Sequence, residues 1–254
     1  MPKRSGAAPH TDHGRFFEHF TLGETLRHAV PLTLGHGDSV LYRALTGSRH
    51  ALFSAAPFAR ANGFRDLPLD PLLAFHVVFG KTVPDISRNA VANLGYADGR
   101  FLSPVYAGDT LQAESEVIGL KQTSSGRTGI VWVRTTGLHQ DREPVLTYVR
   151  WVLVNKRDLN AAAPEPCVPD LPEAVAPGAL VPPAAYADWS ASMTGSASVL
   201  SDYGIGDRID HVDGMTLEEA EHQIATRLYQ NTARVHFDAL ARRSGQGRDE
   251  QRLV

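Results

Sequence analysis

A histidine at 236 stands five residues after an asparagine at 231, with Arg234 between them and Asp238 just beyond. Each type brings its own chemistry. An imidazole titrates near pH 6.5 and can take up or release a proton under neutral conditions. An amide accepts no proton, so Asn231 can orient a water but cannot act as a base. A guanidinium pairs with anionic oxygens, which gives Arg234 and, in the first half of the chain, Arg49 a role wherever a carboxylate must be held. Each also has a plainer reading. His236 alone reads as a surface or helix-end residue, His76 in its apolar run as a core histidine, His50 as a local structural residue and Asp38 as a helix cap. The His and Asp residues lack compact metal-ligand spacing, and Cys167 is the single cysteine. No Gly-rich phosphate loop is evident.

The elements that must position these groups follow from composition and periodicity. The chain has 254 residues, 43% hydrophobic and 21% charged, with a net charge of −3. That is the make-up of a globular chain with one large or two small cores. No run of Lys and Arg suggests a nucleic-acid or membrane partner. No apolar stretch approaches the roughly 20 residues of a membrane span. A lone cysteine fits a reducing, cytoplasmic compartment. Residues 1–15 lack a secretory h-region and read as a disordered leader.

Residues 37–46 carry apolar side chains at helical spacing, with Asp38 or Ser39 as the expected cap. Asp70-Pro71 then opens a second helix, whose run from Leu72 to Val83 leaves almost no polar face and so predicts burial on all sides. Pro84 closes it. Three strands follow, at 111–120, 130–136 and 145–154, separated by Ser124-Ser125-Gly126 and Asp141-Arg142-Glu143. A buried helix followed by an antiparallel meander resembles the hot-dog pattern, an α+β fold in which the sheet wraps one helix. Residues 16–157 make up that domain. A Pro/Ala-rich linker at 158–200 follows.

After the linker the opening of the first domain returns. An offset of 183 places Phe20 on Tyr203, Gly23 on Gly206, Leu26 on Ile209, His28 on His211 and Leu45 on Leu228 without a gap. It continues through Ala56 on Ala239 and Arg65-Asp66 on Arg248-Asp249. An ungapped repeat of this length reads as a duplication. On the same offset Val254 falls on Pro71, so residues 201–254 read as the start of a second hot-dog domain, truncated before its helix and meander.

The stretch Leu228 to Asp238, LYQNTARVHFD, resembles the signature loop of the MaoC-like hydratases, Gly-Asp-x-Asn-Pro-(apolar)-His-x-Asp. Asn231 stands at the first Asp position, His236 at the His and Asp238 at the closing Asp. In the first half Ser48 and Phe53 occupy the dyad positions, which predicts an inactive copy that shapes the pocket. Arg100 to Leu111 resembles the superfamily's Phe-x-x-Pro-Val-x-x-Gly-Asp-x-Leu entry to the long strands. FHVVFGKTVPDIS from Phe75, NAVANLGYAD from Asn89 and the stretch from Ile209 to Asp238 resemble the mesaconyl-CoA (2-methylfumaryl-CoA) hydratases, a double hot-dog group. The resemblance implies a hydro-lyase that interconverts mesaconyl-CoA and β-methylmalyl-CoA. Asn231 and His236 would then handle the water. Arg234, Arg49 and Asp238 would line the substrate site, with Arg234 or Arg49 pairing the substrate's second carboxylate. It implies no cofactor beyond the CoA of the substrate and no metal, and it allows a homo-oligomer. Two other readings stand beside it: a hot-dog acyl-CoA thioesterase and a non-catalytic acyl-CoA-binding module. The thioesterase reading is weakened by the absence of Asp or Glu from the apolar helix.

Overall fold

The structure, a computed structural model, describes residues 14–181, 191–195, 198–212, 214–236 and 238. The expected leader therefore lies almost wholly outside the described residues, as do the repeat matches from Ala239 onward.

Five antiparallel strands form one sheet in the order β1-β3-β4-β5-β2. The strands are β1 (Thr25–Thr33), β2 (Ala90–Phe101), β3 (Thr110–Gln122), β4 (Thr128–Leu138) and β5 (Pro144–Asn155). The three central strands are those expected, because their β-branched and aromatic alternation fits a pleated, half-buried surface. The two edge strands are additions to the sequence reading. β1 contains Pro31, and its register with β3 breaks between His28 and Leu32. Proline at an edge bulge is where a sheet tolerates a missing N–H. β2 is rich in Ala, Gly, Asn and Asp, and its register with β5 shifts three times, so its strand signal is weak.

Helix α1 (His36–Thr46) precedes two short helices, α2 (Ala51–Ser54) and α3 (Ala56–Ala61), and then α4 (Pro71–Thr82). Asp70 caps α4 as its sequence predicts, its carboxylate accepting from Leu72 N at 2.9 Å, with Pro71 at the first helical position. α1 starts differently from expectation. Its N-cap is Gly35, and Asp38 sits three residues in, accepting from Gly35 N at 2.7 Å. An acid at that position satisfies an orphan N–H from inside the helix.

α4 lays Leu73, Ala74, Val77 and Val78 on the sheet, where they meet Leu111, Ala113, Leu146 and Tyr148 in one core. A second core joins Phe17, Ile86, Val117, Val131 and Val152 beyond the helix C-terminus. Burial of each such side chain contributes about 1.5–3 kcal/mol. The helix is not buried on all sides: Leu72 is half exposed, whereas Lys81 is enclosed. The Pro/Ala-rich segment lies against the sheet. Cys167 and Leu120 exchange backbone hydrogen bonds at 2.8 and 2.9 Å, and Phe101 N donates to Leu180 O at 2.8 Å. Beyond it come α5 (Ala191–Thr194) and α6 (Glu219–Leu228), the latter packed on α1. Among the described residues no helix is long and apolar enough to cross a membrane.

Candidate functional site

The turn after α6 carries the candidate residues. Gln230 adopts a left-handed conformation, φ 56°, and breaks the helix. Asn231 N then donates to Thr226 O at 3.0 Å. The Asn231 side-chain carbonyl accepts from Ala233 N at 3.0 Å, which fixes the amide as the brace of its own turn. Arg234–His236 form one 3-10 turn, and Asp238 N closes it by donating to Arg234 O at 2.8 Å.

His236 leans back on α6. Its Nδ1 lies 3.2 Å from Nε2 of His222, whose carbonyl accepts from the buried Thr226 hydroxyl at 2.8 Å. Two imidazoles in contact share at most one proton between the facing nitrogens. His222 is therefore the ring partner of His236 on that side. Sequence reading passed over it, although its place fourteen residues upstream, on the last helix before the loop, was a usable signal.

The loop is seated on α4. Gly80 permits this: a β-carbon there would come within 1.8 Å of Tyr229 O and 3.0 Å of Asn231 N. Tyr229 stacks on His76 at 4.5 Å between ring centroids and meets Tyr42 at 6.3 Å. The Lys81 ammonium donates to Gln230 Oε1 at 2.8 Å and also to Val30 O in β1. Burial pulls Lys81 down to about 8 and lowers His76, while the Tyr229 phenol is pushed up by burial and by the carboxylate of Asp70. His76 is half-buried and serves as a stacking platform for Tyr229.

The corresponding loop of the first copy is built otherwise. Ser48 donates to Asp70 Oδ2 at 3.1 Å. Phe53 faces an apolar cavity with Leu52, Phe64, Pro68 and Leu69. His50 caps α2 through Leu52 N at 3.4 Å. Arg49 is exposed on the connection after α1. The N–H of Leu72 at the α4 N-terminus is held by Asp70, and Pro71 has none, so this helix end offers few donors to a ligand. Arg234 is exposed and borders a separate polar cavity with Arg88 and Arg157. The structure thus places Asn231, Arg234, His236 and Asp238 in one turn and leaves Arg49 on a different loop.

One buried cation was also missed. Arg150, fully enclosed on β5, donates to Thr82 Oγ1 at 2.7 Å and lies over the Phe79 ring at 4.5 Å. Its position under the C-terminal end of α4 favours positive charge. The aromatic and β-branched residues around it in sequence masked it.

Comparison with known proteins sets this loop in context. The family model for mesaconyl-CoA hydratase matches residues 6–166. A mesaconyl-CoA hydratase of Cereibacter sphaeroides is 58% identical over 237 residues, which cover 92% of this chain and 69% of that protein. The chain belongs to the mesaconyl-CoA hydratase family. A second relative, a β-methylmalyl-CoA dehydratase of Chloroflexus aurantiacus, is 55% identical over 92% of this chain and 67% of its own. The chain spans about two thirds of the length of each. The crystal structure of a MaoC domain protein dehydratase from Chloroflexus aurantiacus matches with a TM-score of 0.89 and 54% identity, covering 94% of this chain and 69% of that one. A Mycobacterium tuberculosis protein described as a double hot-dog matches with a TM-score of 0.64 at 21% identity, over 89% of this chain and 69% of its own. That likeness bears on fold alone. The mesaconyl-CoA hydratase family thus carries the hot-dog architecture expected from the buried helix and meander.

Proposed function

We propose that this protein is a hydro-lyase that adds water reversibly to mesaconyl-CoA, giving β-methylmalyl-CoA. The observation that carries this reading is the Asn231–His236 turn seated against Gly80 of α4 in a chain of this family. A water held by Asn231 would attack the carbon β to the thioester. His236 would take its proton and deliver a proton to the α carbon, so that the elements of one water cross the double bond. The amide can only position, so the proton chemistry falls to His236, with His222 in contact on the far side of its ring. Developing enolate charge calls for backbone N–H groups at a helix end. Asp70 and Pro71 occupy that end of α4, so the donors are sought among other backbone N–H groups beside the turn. The substrate's anionic groups need cations, for which Arg234 stands on the catalytic turn and Arg49 on the first copy's loop. Asp238 is read as closing the substrate side of the turn.

The test is to mix the chain with mesaconyl-CoA, following absorbance of the conjugated thioester and free thiol in parallel. Loss of absorbance without thiol, abolished by His236→Ala and lowered about 10²–10⁴-fold by His236→Gln, is the expected result. Thiol release would convert the reading to a thioesterase.

A further inference from the structure

A cavity of about 210 Å³ opens where four separate parts of the chain meet, and its walls are Phe16, Arg88, Asn89, Arg157 and Arg234. Arg88 and Asn89 follow the turn after α4, Arg157 follows β5, and Arg234 comes from the catalytic turn. Three of the five are arginines and none is acidic, in a chain whose net charge is −3. Like charges gathered on one concave wall repel unless an anion fills the space between them. The nearby carboxylate of Glu18 is spent on backbone: it accepts from Arg157 N at 3.0 Å and from Asp158 N at 2.8 Å. Arg88 Nε is closed off from solvent and has no acceptor among the described residues. The backbone beside it is fixed, since Asn155 N donates to Asn89 O at 3.2 Å and Asn89 Nδ2 donates to Arg15 O at 3.1 Å. The Arg157 guanidinium lies over the Phe16 ring, 5.9 Å from its centroid, so a flat apolar face and a planar cation adjoin at the rim.

We propose that this cavity binds the phosphate-bearing nucleotide end of the acyl-CoA, with phosphate oxygens on Arg88, Arg157 and Arg234 and the Phe16 ring beside the purine. The proposal rests on the acyl-CoA reading above and extends it. A lone carboxylate is satisfied by one bidentate guanidinium, whereas a phosphomonoester and a diphosphate together present enough oxygens for three. Arg234 begins the turn that ends in His236, so the proposed phosphate site and the imidazole belong to one turn. In this arrangement Arg234 anchors the nucleotide, and the acyl carboxylate is left to another cation.

The test compares two thioesters of the same acid, mesaconyl-CoA and mesaconyl-pantetheine, in steady state, alongside calorimetric titration of the full chain with CoA and with pantetheine. The wild type should prefer the CoA forms. Arg157→Met, an exposed position, should reduce the ratio of kcat/KM for CoA over pantetheine thioester by about tenfold or more, through KM. Arg88→Met should do the same, with Arg88→Lys recovering part of the ratio. Equal loss on both thioesters would mean that the cavity reads the acyl carboxylate, and an unchanged ratio would mean that the arginines are merely solvated; either overturns the proposal. If neither thioester is hydrated by the wild type, the hydratase reading fails while the CoA titration still decides the cavity.

Discussion

The opening of the first copy and the opening of the second share local structure and differ in burial. At the offset of 183, the 3-10 turn Phe17–His19 falls on Leu200–Asp202, and left-handed Gly23, φ 78°, falls on Gly206, φ 94°. α1 falls on α6, each begun by an acid reaching back to the cap N–H, Asp38 to Gly35 and Glu221 to Glu218. Each helix is followed by a left-handed residue, Gly47 and Gln230. Yet Phe17 is 1% exposed and Leu200 89%, and Leu26 is 6% exposed against 59% for Ile209. The stretch matching β1, residues 208–216, has no strand among its described residues. Turns, caps and helices are written within a few residues. A strand and a buried face also need partners far along the chain, and among the described residues β3 supplies them to the first copy.

That contrast can be broken most forcefully by truncating matched positions. Phe17→Ala should cost about 3–5 kcal/mol in chemical denaturation, whereas Leu200→Ala should stay within about 0.5 kcal/mol. Comparable losses would mean that the second copy is as well packed as the first.

Gly80→Ala separates the copies differently. The added β-carbon has no room against Tyr229 O, so the Asn231–His236 turn must lift. Hydration should fall on the order of 100-fold, the scale of a misplacement of about 1 Å. Alanine favours the helix itself by about 0.5–1 kcal/mol over glycine, so thermal stability of the sheet should hold. Retained activity would show that the turn does not depend on its seat.

Lys81 gives the smallest and most diagnostic effect. Its folded value of about 8 lies below the ordinary 10.5, so between these values the unfolded chain binds more protons and stability rises with pH. The charge-burial penalty is present in full below about pH 8 and relieved toward 10.5. Melting across that window should show wild-type stability gaining on Lys81→Met as pH rises. A constant difference would place the ammonium in contact with solvent.

Much of this was legible beforehand. The capped, apolar α4 and the three central strands follow from short-range signals, and the duplication from an ungapped offset. The edge strands were not, because Pro31 and the Ala/Gly/Asn run of β2 carry little intrinsic strand preference and depend on neighbours for pairing. At the site, Asn231, Arg234, His236 and Asp238 could be picked out from one stretch. Their supports could not: Gly80, Lys81 and His76 lie some 150 residues earlier, in a helix whose periodicity announces only core, and Arg88 and Arg157 look like ordinary punctuation between elements.

The missing β-carbon at Gly80 also makes the helix a shared part. The same α4 that forms the first copy's core is the floor on which the second copy's turn rests, so a disturbance of that core is felt at His236 across a chain length that contacts in sequence would never suggest. Turnover in such a molecule would report on the packing beneath the turn: on warming, hydration should fade as the packing of α4 on the sheet loosens, before the strands themselves separate.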